Sequence, residues 1–481
     1  LEDVEVNFDG ITYAKGASVL RQLVAWVGEE HFFAGVQAYF AKHAWGSTEL
    51  RDLLVELEAT SGRDLSRWSA LWLEKAGVTL LRPQIELDAH GLVTHVAIHQ
   101  EVPAEHPVQR PHRVAIGGYD LVLDDAGVER LVRTVRVELD LDGPSTVVHE
   151  LVGRPRPDLV LVNDDDLAYA KVRLDAASLA VARSSLHAFT DSLPRTLVWS
   201  AAWDMTRDGE LAGREFADLV LGNIAHETDS SVVLVLLRQL TTALDLYVAP
   251  EHRAAVAERA GDRLLALARA AEPGSDTQLQ LVKAVAARAA SPAQLDAVAG
   301  LLDGSAPLAG LSVDTDLGWE LLTGVVAGGR AGEAEIATQL AADATATGER
   351  AAAAARAAVP TAQAKAAAWA AVHGGGLANA VQASTIAGFA RAHDRTLLEP
   401  WVEPYFATLE QVWTERTNEI AQGIVVGLYP TALTGGTVDV LGRTDAWLGE
   451  HPDAPPALRR LVVEARDGVR RALAAQRRDR R

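Results

Sequence analysis

The chain contains no cysteine, a single methionine, Met205, and only 5% aromatic residues among its 481 positions. Without thiols it can form no disulfide, no thiolate metal site and no cysteine nucleophile, a composition that fits a reducing compartment. Positive charge is scarce: 45 Lys and Arg stand against 65 Asp and Glu, a formal net charge of −20. That balance offers no footing for a phosphate backbone, so nucleic acid is not an expected partner. The arginine-rich end, Arg477–Arg481, is short and reads as a solvated tail. No apolar run reaches the roughly 20 residues needed to span a bilayer, and no signal peptide opens the chain. The chain starts at Leu1, and its only methionine lies deep inside it. A longer N-terminal portion is therefore expected upstream.

What is present is mostly Ala, Val and Leu. With 48% hydrophobic residues, the chain reads as globular and helix-rich rather than disordered. Its length predicts two to four domains.

Three regions follow from the hydrophobic period, so the expected fold is multidomain and mainly α. Residues 8 to 77 read as four helices. The first carries Ile11, Leu20, Leu23, Val24 and Val27 and stops at Gly28; the second runs from Glu29 to His43 with Phe32, Phe33, Val36, Tyr39 and Phe40. The third begins after Ser47/Thr48 and stops at Gly62. The fourth starts from Asp64 as N-cap and ends at Gly77. From Val78 the period becomes alternating, and about seven short strands predict a small β-sandwich over 78–166. From about Leu174, helices resume. Breakers at Asp208–Gly209, Pro273–Gly274, Gly328–Gly329, Pro360, Gly374–Gly376 and Pro430 give 174–481 the rhythm of a HEAT-like α-solenoid or bundle. The low-complexity stretch AAAAARAAVPTAQAKAAAWAAV reads as two tightly packed helices, because Arg356, Lys365 and Trp369 punctuate it at helical spacing.

The segment Phe8–Leu23, FDGITYAKGASVLRQL, resembles the tyrosine helix of the zinc aminopeptidase N family, the gluzincin alanyl aminopeptidases. The WLEKAG ending of the helical region also matches that family. The stretches SAAWDMTRDGE, RQLTTALDLYVAP and EIAQGIVVGLYP resemble the helical domain of its bacterial, actinobacterial-type members. The resemblance implies that 1–77 is the C-terminal helical part of a thermolysin-like catalytic domain, followed by the sandwich and a large helical domain. It implies a cytoplasmic enzyme that removes N-terminal residues from peptides with one zinc ion, and a helical domain that limits access to short or unfolded peptides. Tyr13 would then stabilise the oxyanion formed as water attacks the peptide bond. A neutral phenol, pKa about 10, can donate that hydrogen bond without ionising. Lys15 carries no role readable from the sequence, and Gly16 would let a neighbouring backbone approach.

The family's zinc site, H-E-x-x-H on one helix with a glutamate on the next, needs two histidines sharing a helical face. Here His149–Glu150 is followed by Gly153 in the strand region, and His226–Glu227 by Ser230, so neither completes the motif. The Gly-x-Met-Glu-Asn loop that binds the substrate amine in the family is also absent. Zinc ligands, general base and amine anchor are expected in the missing N-terminal portion, and this chain alone is expected to be inactive. His95 and His99 would share a strand face without a paired carboxylate and read as strand surface rather than metal site. Asp164–Asp166 lacks the glycine and terminal glutamate of a calcium loop and reads as a solvated interdomain turn. The rival expectation is a non-catalytic α-solenoid scaffold. A scaffold has no need of a phenol at position 13, whereas the enzyme does.

Overall fold

The computed structural model describes residues 11–481, with side chains from Tyr13 onward; Phe8, Asp9 and Gly10 of the tyrosine segment lie outside the described residues. Backbone proximity divides the chain into two compact units, 1–205 and 206–481.

In the first unit, a π-helical turn, Ile11–Lys15, runs into α1 (Gly16–Val27), followed by α2 (Glu29–His43), α3 (Leu50–Ser61) and α4 (Ser66–Leu73). Glycine stops the first and third helices. Gly28 takes φ +88°, and its N–H closes on the Val24 carbonyl; Gly62 ends α3 in the left-handed conformation. Asp64 stands one residue before the N-cap position, which is Leu65, and its side chain accepts the Ser66 N–H at 2.9 Å. The helix ends at Leu73, short of the expected Gly77, because the buried Arg110 guanidinium takes up the carbonyls of Leu71, Lys75 and Ala76 at 2.8–2.9 Å. Val19, Leu23, Leu54, Leu57, Trp68 and Trp72 form the helical core.

The sandwich comprises β1 (Leu80–Leu87), β2 (Val93–Glu101), β3 (His112–Leu123), β4 (Glu129–Leu141), β5 (Ser145–Val147), β6 (Leu159–Asp164) and β7 (Lys171–Val172). One sheet has the order β5-β2-β1-β7 and the other β4-β3-β6. All pairings are antiparallel except β1 with β7. Leu81, Val96 and Ile98 from one sheet meet Val114, Ile116, Val160 and Val162 from the other in a single core, as alternation predicts. β7 lies beyond residue 166. α5 (Ala176–Ser185), N-capped by Asp175, and α6 (Ser192–Arg207) follow.

The second unit is helical throughout its described elements, and the breakers fall where helices stop: Pro250–Ala270, Thr315–Ala327, Ala346–Ala358, Ala362–His373 and Asn418–Gly427 each end at or just before one of them. The Ala-rich stretch forms two helices, and Ala346–Ala358 packs most extensively on Asn379–Ala390, the next helix but one. Gly388 permits that approach, since a Cβ there would strike the Ala354 carbonyl. Lys365, one of the residues that punctuate the stretch, is fully buried; its ammonium donates to the carbonyls of Ala357, Gly388, Phe389 and Arg391 at 2.7–3.2 Å.

The expectation of a solvated turn at Asp164–Asp166 is overturned at Asp164, which is fully buried. Its carboxylate accepts from Tyr119 Oη and Arg133 Nη1, both at 2.8 Å. The missing glycine and terminal glutamate excluded a calcium loop but could not show which partners fold over the acids. Arg133 and Arg136 supply the counter-charge from β4. Gly117 on β3 leaves the space, since any side chain there would collide with the carboxylate.

Candidate functional site

Tyr13 sits within the π-helical turn, one residue-pair before α1 begins, and its side chain is 72% exposed. An ordinary helix was expected there. Single π-turns are uncommon and concentrate at functional positions, because the extra residue re-aims a side chain.

α1 is fastened to the loop after β6 by polar contacts that no motif announces. Arg21 Nε donates to the Asp166 carbonyl at 2.9 Å and Nη2 to the Asp165 carbonyl at 2.8 Å. The next residue, Gln22, is buried and accepts the Tyr169 N–H at 2.9 Å. Lys15, without an assignable role from sequence, places Nζ 5.9 Å from the Tyr169 ring centroid, a cation–π distance. The accepting loop is itself unusual. Asn163, Asp165 and Asp166 all have φ between 55° and 64°, a left-handed conformation that Asn and Asp tolerate best after glycine. The Asn163 side chain closes the loop on both the N–H and the carbonyl of Ala168. Burial pushes the Asp165 carboxyl up, but hydrogen bonds from Arg136 and Arg133 outweigh it and hold the group below the usual range. Burial raises Asp166, with Arg21 opposing. Sequence inspection could not have found Arg21 or Gln22 as anchors, since their partners are backbone atoms more than 140 residues away.

Beside this turn, Lys15, Gly16, Val19, Leu20, Leu50 and Trp68 help line an apolar groove of about 310 Å³. Further apolar groups are exposed: Phe33 and Phe40 on α2 are 56% and 65% exposed, and Trp45, just past its end, is fully exposed. On α2 itself only Gly35 is buried.

Among the described residues no group of three His, Cys, Asp or Glu side chains could hold an ion. His149 lies in a 3-10 turn, His149–Leu151, and His226 ends another, Ile224–His226, so neither stands on the helical face that the zinc motif requires. His95 and His99 are half-buried on one face of β2, and His99 Nε2 is 2.7 Å from Gln84 Oε1. The described residues do not fit zinc.

Residues 159–471 match the family of ERAP1-like C-terminal domains, and residues 1–72 match the peptidase family M1 domain. The chain belongs to the M1 aminopeptidase family. It is 55% identical to Aminopeptidase N of Streptomyces lividans over 484 residues, covering 99% of this chain and 56% of that protein. Shorter similarities reach Aminopeptidase 2 of Candida albicans, 36% identical over 81 residues, and the Tricorn protease-interacting factor F2 of Thermoplasma volcanium, 38% over 81 residues. Those two span 17% of this chain and 9% and 10% of the respective relatives. The chain thus spans little more than half the length of the Streptomyces relative. Among the described residues no helix is long and apolar enough to cross a membrane.

Proposed function

We propose that this chain is part of a zinc-dependent aminopeptidase that hydrolyses N-terminal residues from peptides, with Tyr13 as the donor that stabilises the tetrahedral oxyanion. The observation that carries this reading is Tyr13 itself: a solvent-facing phenol on a π-turn, in the stretch shared with the peptidase M1 domain. In this reading residues 1–77 complete a thermolysin-like catalytic domain, 78–166 form its sandwich, and 174–481 form a HEAT-like helical domain. The zinc ligands, general base and amine anchor belong to an N-terminal portion of the same enzyme. The apolar groove and the exposed Phe33, Phe40 and Trp45 support that partner, since exposed rings of this number ordinarily mark an interaction surface. The lack of cysteine supports a cytoplasmic setting.

What the chain's own residues do is position and polarise. Arg21 and Gln22 hold α1 to the loop after β6, which fixes where the turn bearing Tyr13 starts. The neutral phenol then donates to the carbonyl oxygen as it gains charge. A preorganised donor of this kind is worth roughly 3–4 kcal/mol in the transition state. Tyr13→Phe in the full-length enzyme should lower kcat by about 10²–10³-fold with zinc content unchanged. Turnover within a few-fold of wild type would refute the assignment. The 481-residue chain alone should not cleave an alanyl chromogenic substrate in added zinc. Cleavage there by protein free of host peptidases would show that the metal donors had been misplaced.

A further inference from the structure

A cavity of about 970 Å³ opens in the unit 206–481. Four guanidinium groups line it, Arg253, Arg288, Arg391 and Arg395, from segments that are up to 142 residues apart in sequence. One carboxylate, Asp245, stands among them. Arg288 grips it with both terminal nitrogens, at 3.0 and 3.2 Å, and Arg395 Nη2 lies 3.6 Å from Asp245 Oδ1.

Among the described residues Arg253 and Arg391 have no such partner. Their described bonds go to carbonyls, Arg253 to Val248 at 3.2 Å and Arg391 to Ala286 at 2.6 Å. The Nε atoms of Arg253, Arg288 and Arg391 are buried with no acceptor. Each guanidinium carries five N–H donors, so most of this donor capacity is uncommitted. Burial, with Arg395 adding repulsion, pushes Arg253 down to about 10; burial does the same to Arg391, against Glu320 and together with Arg288. Both remain charged at neutral pH. Two other carboxylates reach the lining, Glu258 and Asp394, and both residues are exposed. Asp394 Oδ1 is taken by its own turn, accepting Thr396 N–H and Oγ1–H at 3.0 and 2.6 Å. His393, pushed down by burial and then by Arg391 and Arg288, adds no competing negative charge.

A set of like charges converging on a solvent-filled hollow is costly unless an anion neutralises it. Guanidinium forks fit planar oxyanions with two hydrogen bonds each. We propose that this cavity binds a multivalent oxyanion, one bearing two or more carboxylate or phosphate groups, through Arg253 and Arg391, with Arg288 and Arg395 adding field from behind Asp245. The same chemistry has two sources, a free small acid or the acidic side chains of a peptide. The inference rests on the second unit alone and does not depend on the role of Tyr13.

The test is calorimetric titration of the 481-residue chain with citrate and with pyrophosphate in low-salt buffer free of other multivalent anions. One saturable site is expected, weakening as sodium chloride is raised to 150 mM. Arg253→Gln and Arg391→Gln should each weaken binding at least tenfold. Asp245→Asn should tighten it several-fold, because it removes the resident competing anion. That last direction separates a site from arginines that only brace carbonyls. Arg253→Gln removes just one described hydrogen bond, so it keeps the test open should Arg391→Gln fail to fold. Competition against citrate by tri-glutamate but not tri-glutamine would assign the source to peptide carboxylates; failure of tri-glutamate to compete would assign it to a free acid. Absence of binding by both anions, binding indifferent to Arg253→Gln, or weaker binding in Asp245→Asn would each overturn the proposal.

Discussion

Replacing Lys365 by Met tests whether one buried ammonium ties together the C-terminal ends of two helices. The side chain is fully buried, and Met keeps its length and shape while removing the charge. Ala357 and Phe389 lie in the last turns of their helices, where carbonyls have no intrahelical N–H, and Arg391 lies just past the end of the second. Losing Nζ strands these three acceptors at about 2 kcal/mol each, about 6 kcal/mol in all. Against that, burial pushes the Lys365 ammonium down to about 8 from its ordinary 10.5, so removing the charge recovers about 3 kcal/mol. The net expectation is a loss of about 3 kcal/mol at pH 7. A pH signature accompanies it. Because the folded pKa is depressed, the unfolded chain holds the extra proton between about pH 8 and 10.5, and wild-type stability rises there by about 1.4 kcal/mol per unit. The Met variant lacks that rise, so the gap widens with pH. Urea unfolding at pH 7 and 9.5, with hydrogen exchange on peptides covering 357 and 388–391, measures both. A variant within about 0.5 kcal/mol of wild type at pH 7, or a gap that closes at pH 9.5, would refute the reasoning.

Two further outcomes follow from buried groups in the first unit. His112 is fully buried, with neither ring nitrogen bonded, edge-on to Trp72 at 5.1 Å. Burial, with Arg110 adding to it, depresses its pKa to about 3, so stability is lost as pH falls below the unfolded value of about 6.5. His112→Leu should be within about 1 kcal/mol of wild type at pH 7 and should gain about 2 kcal/mol on it at pH 5, read by urea unfolding at the two pH values; equal pH dependence would disprove a neutral buried imidazole. Asp164→Ala should cost about 3 kcal/mol, since it strands the Tyr119 hydroxyl and half of the Arg133 pairing. Hydrogen exchange at 163–169 should accelerate in that variant, and unchanged protection would show that the loop does not depend on the buried carboxylate.

Where the fold was legible, a single residue type carried the information. Glycine ended α1 and α3 because its φ can turn positive, and the switch to alternating Val, Leu and Ile at Val78 announced the sandwich core. What stayed hidden depended on partners distant in sequence. Asp164 looked like part of an acidic turn until β4 brought Arg133 across. Lys365 looked like helix punctuation in an alanine tract until the end of Asn379–Ala390 closed over it. On α2, Phe33 and Phe40 are exposed, since an apolar residue in a helix does not by itself say which face is covered. Tyr13 was singled out only through resemblance, because an isolated tyrosine carries no pattern, and the π-turn beneath it has no period to read.

These failures share a physical direction that bears on the candidate site. Both Asp164 and Lys365 are charges whose solvation has been replaced by protein groups at the junction of separate elements, where they set geometry as well as add stability. Arg21 works by the same logic without being buried: its guanidinium binds two carbonyls exposed by the left-handed run at Asp165 and Asp166. Those carbonyls point where they do because Asn163 and Asp164 close the loop from within. The chain of dependence therefore runs from Gly117, which makes room for Asp164, through the acidic loop to Arg21, and so to the helix that begins at the Tyr13 turn. A hydrogen-bond donor is useful in catalysis only if it is held within a few tenths of an ångström before the charge develops. On that argument the sandwich helps position the tyrosine helix, because the loop at its β6 end carries the contacts that hold it.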